Sequence, residues 1–532
     1  MSSVAQLLHE SFNNFSQLTA LICNGRSISY SELQTKALSV AGALIECGAS
    51  HETIGIVGQR NPSSYFGILG ILFSGCSYVP INPKYNQYKL LSLLGASKIR
   101  ILVGDKASMA MLEPMLINQD NPLIQSIILP EGSSPPNKKW FDESLLRTTA
   151  SLATPVAAAG EDLAYILFTS GSTGVPKGVQ VTNANVLAFL KSMKSIYQLN
   201  PGFRASQTFD FSFDPSVSDM FFTWASGGVL CVLPEEELMS PQEYIVREKI
   251  TFWNSVPAIA GFLNKMGHLK LGAFPTLTHS MFCGEQFPKY LADLWRKAAP
   301  NSTIENLYGP TEATIYISRH SYKLFEQDRS FRNSIIPIGR PFLNHCYALI
   351  DDAGNEVPKG ETGEIVFKGP QITMGYLNDN EKTAMSFVTF DWDSTGEKWY
   401  KSGDLGFQNA DGDLECIGRK DSQIKLGGRR IEIGEIEAVL HRYPKWMNAV
   451  VVPVRDANDV VTGCVAFITK EISKEQETFV RKDSEMYLER IFFPKRIFCI
   501  KNFPLAPSGK VDRKALSLIA YGLLSLPKDQ AK

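Results

Sequence analysis

The densest phosphate-binding chemistry in the sequence is the run Phe168-Thr-Ser-Gly-Ser-Thr-Gly-Val-Pro-Lys-Gly178. Four hydroxyl side chains, Thr169, Ser170, Ser172 and Thr173, lie among Gly171, Gly174 and Gly178, and Lys177 falls near the end of the run. Glycines let several backbone N–H groups converge on an anion with no Cβ in the way. The hydroxyls add donors, and the lysine sets positive charge against the outer phosphates. The spacing is not that of the Walker loop. Counting from Gly171, Pro176 stands where a second glycine is required, and Gly178 where Ser or Thr should follow the lysine. A flexible surface loop is the plain alternative, but it would need neither the lysine nor the apolar strand at residues 163–169 that runs into the loop.

Four further motifs accompany this run, in order along the chain. They are Asn306-Leu-Tyr-Gly-Pro-Thr-Glu-Ala-Thr314, Tyr400-Lys-Ser-Gly-Asp-Leu-Gly406, Gly418-Arg-Lys-Asp-Ser-Gln-Ile-Lys-Leu-Gly-Gly-Arg-Arg-Ile-Glu432 and Pro504-Leu-Ala-Pro-Ser-Gly-Lys-Val-Asp-Arg-Lys514. The set resembles the adenylate-forming superfamily: acyl- and aryl-CoA ligases, luciferases and the adenylation domains of non-ribosomal peptide synthesis. The resemblance covers essentially the whole chain. It implies ATP and Mg²⁺, with the nucleotide held by Thr169, Ser170, Gly171, Ser172, Thr173, Gly174, Lys177, Gly284, Glu285, Asn306, Leu307, Tyr308 and Gly309. Tyr308 would offer a face to adenine, and Thr311 a hydroxyl near the α-phosphate. Glu312 is implied as the magnesium ligand, which suits a cation that takes one or two carboxylates plus phosphate oxygens. Asp404 would accept both ribose hydroxyls, with Arg419 in support.

Lys510 is the expected catalytic lysine. A substrate carboxylate must reach the α-phosphorus of ATP, and two anions repel. One ammonium bridging both removes that repulsion and aligns them. The carboxylate is already ionised at neutral pH, so no general base is needed. For the second step, transfer to a thiol, the family rotates a lid about a hinge, here Asp421, exchanging Lys510 for the Gly427-Gly428 region.

Asp214, in Phe213-Asp-Pro-Ser-Val-Ser-Asp219, matches the residue that binds the substrate α-amino group in amino-acid-activating members. A buried carboxylate without a cationic ligand would be costly. The resemblance completes the substrate pocket with Pro215, Ser218, Asn254, Met281, Cys283, Leu307, Ile315 and Tyr316. Apart from Asp214 and Lys510 this set is uncharged, which implies a small, apolar cavity. Phe282-Cys-Gly-Glu285 is similar to stand-alone D-alanine–carrier ligases and to stand-alone L-proline ligases of pyrrole and alkaloid pathways. L-proline is the expected substrate and D-alanine the second. Acyl-CoA ligase is disfavoured by Asp214, and a non-catalytic nucleotide-binding regulator by the retention of Lys510, Glu312 and Asp404. Two segments depart from the family pattern: Thr182-Asn-Ala-Asn185 in place of a histidine, and Leu488-Glu-Arg-Ile-Phe-Phe-Pro494 in the lid.

The elements that must position these residues are legible in outline. At roughly 150 residues per domain, 532 residues suggest about three to four domain-sized units. The 44% hydrophobic and 20% charged content is that of a globular chain. A net charge of −1 with no basic run argues against nucleic-acid partners. No apolar run is long enough to span a membrane, no signal peptide is visible, and nine scattered cysteines fit reduced thiols, so a cytoplasmic protein is expected. Strands at residues 53–58 and 101–104, with a helix at 62–74 between them, indicate α/β units with largely parallel strands. After Pro337, short β-elements at 347–351, 363–368 and 413–418 separate Gly-rich turns. The expected fold is therefore α/β: an N-terminal adenylation core over 1–420, built of α/β subdomains plus a small β-barrel, and a small mobile α+β lid over 421–532. Only 22 residues follow Lys510, so the acceptor is expected to be a separate carrier protein with a phosphopantetheine arm.

Overall fold

The computed structural model describes residues 2–85, 87–117, 124–133, 140–169, 176–238, 240–323, 334–420, 423–443, 449–456, 460–504 and 511–525. The expected alternation is present. Strand Thr53–Val57, helix Pro62–Phe73 and strand Ile101–Gly104 follow one another much as the apolar pattern indicates. The helix begins where Asn61 accepts a hydrogen bond from the Ser64 backbone N–H and proline occupies the first turn. Its apolar residues run all the way round, and every residue from Ser63 to Phe73 is buried.

Two α/β sheets carry the large part of the chain. One has seven strands, ordered Trp140–Phe141, Ser126–Ile128, Ile101–Gly104, Thr53–Val57, Ser77–Ile81, Leu163–Thr169 and Lys177–Thr182. All neighbours are parallel except the last pair. The phosphate-loop motif thus joins the two antiparallel strands at one edge, past the carboxyl end of Leu163–Thr169. The other sheet has nine strands, with Phe252–Ser255, His279–Cys283 and Thr303–Tyr308 parallel neighbours. Register sets Asn254 beside Met281 and Cys283 beside Leu307, so one sheet end gathers residues from three distant stretches of sequence. A helical segment over 215–225 faces them. It runs Pro215–Val217, then a π-helical turn Ser218–Phe222, then Thr223–Ala225. Such turns interrupt regular helices mostly at functional sites.

A curled, half-barrel antiparallel sheet follows, comprising Cys346–Ile350, Gly363–Lys368, Trp399–Gln408, Phe387–Val388 and Leu414–Arg419. Beyond residue 422 lie a two-stranded ribbon, Gln423–Leu426 with Arg429–Glu432, and a three-stranded sheet, Val450–Arg455, Val461–Ile468 and Ile497–Cys499. Helices Ile433–Leu440, Lys474–Ser484 and Arg513–Ser525 accompany them. The apolar clusters of this last part draw only on residues after 423. Among the described residues no helix is long and apolar enough to cross a membrane, and the nine cysteines are all unpaired.

The segment that departs from the family pattern is well anchored. Thr182 caps the helix Asn183–Ile196 with a reciprocal capping box to Asn185. The Asn185 amide also donates to the carbonyls of Pro370 and Ile372, at 2.9 and 3.0 Å. Asn183 donates to Asp162 O and accepts from Val4 N, both at 3.0 Å.

Candidate active site

A cavity of about 250 Å³ opens where the two α/β sheets, the half-barrel and the C-terminal ribbon meet. Its lining includes Thr169, Asp214, Pro215, Cys283, Gly284, Gly309, Thr311, Ile315, Tyr316, Asp404, Arg419 and, from the ribbon, Gly428, Arg429 and Arg430. Eleven of the expected site residues therefore line one cavity. Ser170, Gly171, Ser172, Thr173 and Gly174, the hinge Asp421 and the catalytic lysine Lys510 lie outside the described residues.

Three buried polar atoms here make no hydrogen bond: Thr169 Oγ1 and Asp214 Oδ2, on residues that line the cavity, and Glu312 Oε2, next in sequence to the lining residue Thr311. Buried polar atoms are normally paired, and orphans gathered in one place mark a site awaiting a ligand. Asp214 is half-buried, and burial pushes its carboxyl up to about 7 against the pull of hydrogen bonds from Thr311 and the Ile315 backbone. Glu312 is fully buried. Burial opposes its charge, yet the Arg430 guanidinium and the Tyr376 hydroxyl hold its carboxyl below the ordinary value. Tyr376 donates to Oε1 at 2.8 Å, and Arg430 stands 3.6 Å from Oε2. The Lys177 ammonium is lowered to about 8, chiefly by burial and then by the nearby Arg430 charge.

Asp404 and Arg419 are register partners on adjacent strands, paired at 2.7 Å. Asp404 also accepts from the Tyr308 hydroxyl. The Tyr308 ring lies buried between Phe367, 5.8 Å away, and the Lys425 ammonium at 5.6 Å. Asn306 sits behind the cavity and donates to the carbonyls of Ile336 and Pro337, at 3.0 and 2.9 Å.

The expected substrate residues separate into two layers. Asp214, Pro215, Cys283, Ile315 and Tyr316 line the cavity. Ser218, Asn254, Met281 and Leu307 are 1–2% exposed and pack behind it. A further buried carboxylate stands outside the expected set. Asp219, five residues after Asp214, is buried behind the floor and accepts from Asn254 Nδ2 at 2.7 Å. Burial raises its carboxyl to about 8.

The turn that aims Ile315 and Tyr316 is strained. Thr314 and Ile315 have φ of 54° and 74°, a region unfavourable for a β-branched residue. Gln371 holds it: Nε2 donates to the carbonyls of Ala313, Thr314 and Tyr316 at 3.3, 3.0 and 2.7 Å, while Thr314 Oγ1 donates to Gln371 O at 2.6 Å. Gln371 carries no motif that would have marked it. Arg430 and Asp219 both stood within quoted motifs, yet only their spatial partners give them a role.

The Gly427-Gly428 turn is docked. Glu285 accepts from Gly428 N at 2.9 Å and from Ala258 N at 3.2 Å. At Gly428 φ is +75°, and a Cβ there would meet Val256 Cγ1 at 2.6 Å. Glycine is required for this approach.

Comparison with known proteins places this geometry in a family. The AMP-binding enzyme family matches residues 8–377. The chain is 30% identical over 96% of its length to malpinin synthetase of Mortierella alpina, and 30% identical over 97% to bacitracin synthase 3 of Bacillus licheniformis. It spans only 6% and 8% of those proteins. The Vibrio cholerae adenylation domain AlmE, solved with glycyl-adenosine-5′-phosphate, superposes with a TM-score of 0.84 at 26% identity, covering 98% of each chain. With residues from four of its five motifs lining one cavity and the family match extending over most of its length, this chain belongs to the AMP-binding enzymes.

Proposed function

We propose that the protein is an amino-acid–[carrier protein] ligase: it activates a small amino acid with ATP and passes it to a carrier thiol. The observation that carries this reading is Asp214 Oδ2, a buried, partnerless carboxylate oxygen at the cavity. Only a cationic donor repays its burial, and the α-ammonium of an amino acid is such a donor. A fatty or aryl acid would leave it unpaired. In the first step a substrate carboxylate oxygen bonds to the α-phosphorus, the bond to the leaving oxygen breaks, and pyrophosphate departs with that electron pair. Asp214 fixes the ammonium, Thr311 offers a hydroxyl to the α-phosphate, Asp404 and Arg419 hold the ribose, and Lys510 bridges the two anions. Glu312 Oε2, which makes no hydrogen bond and faces Arg430 at 3.6 Å, is a hard oxygen donor of the kind Mg²⁺ takes, so Glu312 would hold the ion once Arg430 withdraws. There it would neutralise charge on the phosphates.

In the second step a thiolate displaces AMP from the acyl carbon. The docked Gly427-Gly428 turn and the Arg430–Glu312 contact support a two-body organisation, a core over 1–420 and a lid over 421–532 hinged at Asp421. The separate apolar clusters after residue 423 agree with that division. The acceptor is a separate phosphopantetheinylated carrier protein. The unpaired cysteines support a cytoplasmic setting.

The Cys283–Tyr316 floor, and the glycyl-adenylate bound to AlmE, support a small uncharged substrate. L-proline is the reading we favour, since its ring fills an apolar cup and its secondary ammonium keeps two donors for Asp214. D-alanine is second. Exchange of labelled pyrophosphate into ATP, run with every proteinogenic amino acid and D-alanine, tests both levels. Proline-dependent exchange is expected. No amino-acid-dependent exchange would overturn the activity, and equal exchange with proline, alanine and valine would overturn the substrate. Mass spectrometry of a holo-carrier against free coenzyme A distinguishes the acceptor.

A further inference from the structure

Behind the cavity floor lies a chain of buried polar groups that the activation chemistry does not use. Tyr316 and Cys283 form the floor, with the Tyr316 hydroxyl 3.4 Å from Cys283 Sγ. Asn254 stands behind them, 1% exposed, and its Nδ2 is 3.0 Å from the Tyr316 hydroxyl and 2.7 Å from Asp219 Oδ1. An amide nitrogen has two hydrogens, and these two partners use both. Asp219 is itself fixed, accepting from Thr208 N at 3.4 Å. It is delivered by the π-helical turn that follows the Asp214 segment, so the ammonium anchor and the floor support share one short helical element.

With Asp219 Oδ1 accepting, the Asn254 amide presents its nitrogen to Asp219 and its oxygen toward Cys283, 3.9 Å from Sγ. Nδ2 also donates to the Tyr316 hydroxyl, which in turn lies 3.4 Å from Asn254 Oδ1, so both ends of the amide hold the ring. Satisfied buried networks of this kind are rigid, and half-satisfied ones are not. The floor therefore stays in place when a longer side chain presses on it.

We propose that Asp219 is a positioning residue that sets the size limit of the amino-acid pocket, by locking Asn254 and through it the Tyr316–Cys283 floor. This rests on the amino-acid-activating reading above. Asp219 touches neither substrate nor nucleotide. Its effect is a ceiling on side-chain length, in favour of small amino acids.

The test is a pyrophosphate-exchange panel of glycine, alanine, proline, valine, leucine and phenylalanine, run on the unaltered protein and on D219A, D219L and D219N. Asp219→Asn keeps an acceptor oxygen for Asn254 and should preserve the ranking of substrates. Asp219→Ala and Asp219→Leu remove it, and Asp219→Leu fills the space should the alanine variant fail to fold. In both, the ratio of kcat/KM for leucine to that for the best small substrate should rise at least about tenfold, the scale of a one-methylene discrimination. The gain should come from KM for the larger amino acid, with KM for ATP unchanged. A uniform fall for every substrate would reveal a merely structural role and overturn the proposal, as would an unchanged ranking in both variants. Absence of amino-acid-dependent exchange in the unaltered protein would instead overturn the activity on which it rests.

Discussion

A carboxylate raised to about 7 by burial is ionised only in part at neutral pH, and that gives Asp214 a measurable signature. If its charged form holds the substrate ammonium, kcat/KM for the amino acid should rise with pH through that value and level off above it, while KM for ATP stays flat. Asp214→Asn should abolish this dependence and lower kcat/KM by roughly 10²-fold or more, as loss of a buried charged hydrogen bond does. Stability should move the other way. Between the ordinary 3.8 and about 7 the folded state holds a proton that the unfolded chain has released, so ionising Asp214 destabilises the fold as pH rises. The asparagine variant should melt higher than the unaltered protein at pH 8, and the gap should close toward pH 4, read by thermal unfolding at both. An unchanged difference at the two values would contradict the assignment. Asp214 was legible because a chemical demand, a cation for a carboxylate, could be stated from sequence once the motif was aligned. Asp219, five residues on, carried no such demand until its distance to Asn254 was known.

Among the elements, the strained turn at Thr314–Ile315 is held by a partner that lies more than fifty residues away in sequence, and sequence patterning gave no hint of it. Periodicity found Leu163–Thr169, which ends at the cavity, since its apolar run is local, but not the strands that carry Asn254, Cys283 and Leu307. It was silent on Gln371, whose role exists only because three carbonyls converge on it. Gln371→Ala would leave those buried carbonyls unpaired and release a backbone that is unfavourable on its own. A loss of about 2–4 kcal/mol in unfolding free energy is expected from denaturant titration. Gln371→Glu should serve as a contrast, because a carboxylate cannot donate to carbonyls and should destabilise as well. The helix Asn183–Ile196 belongs to the same knot, since Asn185 grips the carbonyls on either side of Gln371. At this departure from the family pattern an amide therefore ties the helix start to the Gln371 segment.

At the scale of the molecule, the contact most informative about function joins the ribbon after residue 422 to the large part of the chain. Gly428 reaches Glu285, and Arg430 faces Glu312, the carboxylate proposed to hold magnesium. A guanidinium 3.6 Å from that carboxylate supplies positive charge where the ion would otherwise stand, so this arrangement suits the stage after pyrophosphate has left. On the proposed exchange of Lys510 for the Gly427-Gly428 turn, the docked turn marks the seat for transfer, and activation would use another. Two variants should therefore fail in opposite halves of the reaction. Lys510→Ala should cut pyrophosphate exchange by about 10²–10³-fold, the scale of removing one group that stabilises developing charge. It should still transfer an amino acid from supplied aminoacyl-adenylate to a holo-carrier. Gly428→Ala adds a Cβ that meets Val256 Cγ1 at 2.6 Å, at a φ of +75° that alanine rarely adopts, so the turn is pushed off Glu285. It should keep exchange within a few-fold of the unaltered protein and lose transfer to the carrier. Assayed side by side, exchange and carrier loading must cross over between the two variants, because a lid with a single working position would lose or keep both together.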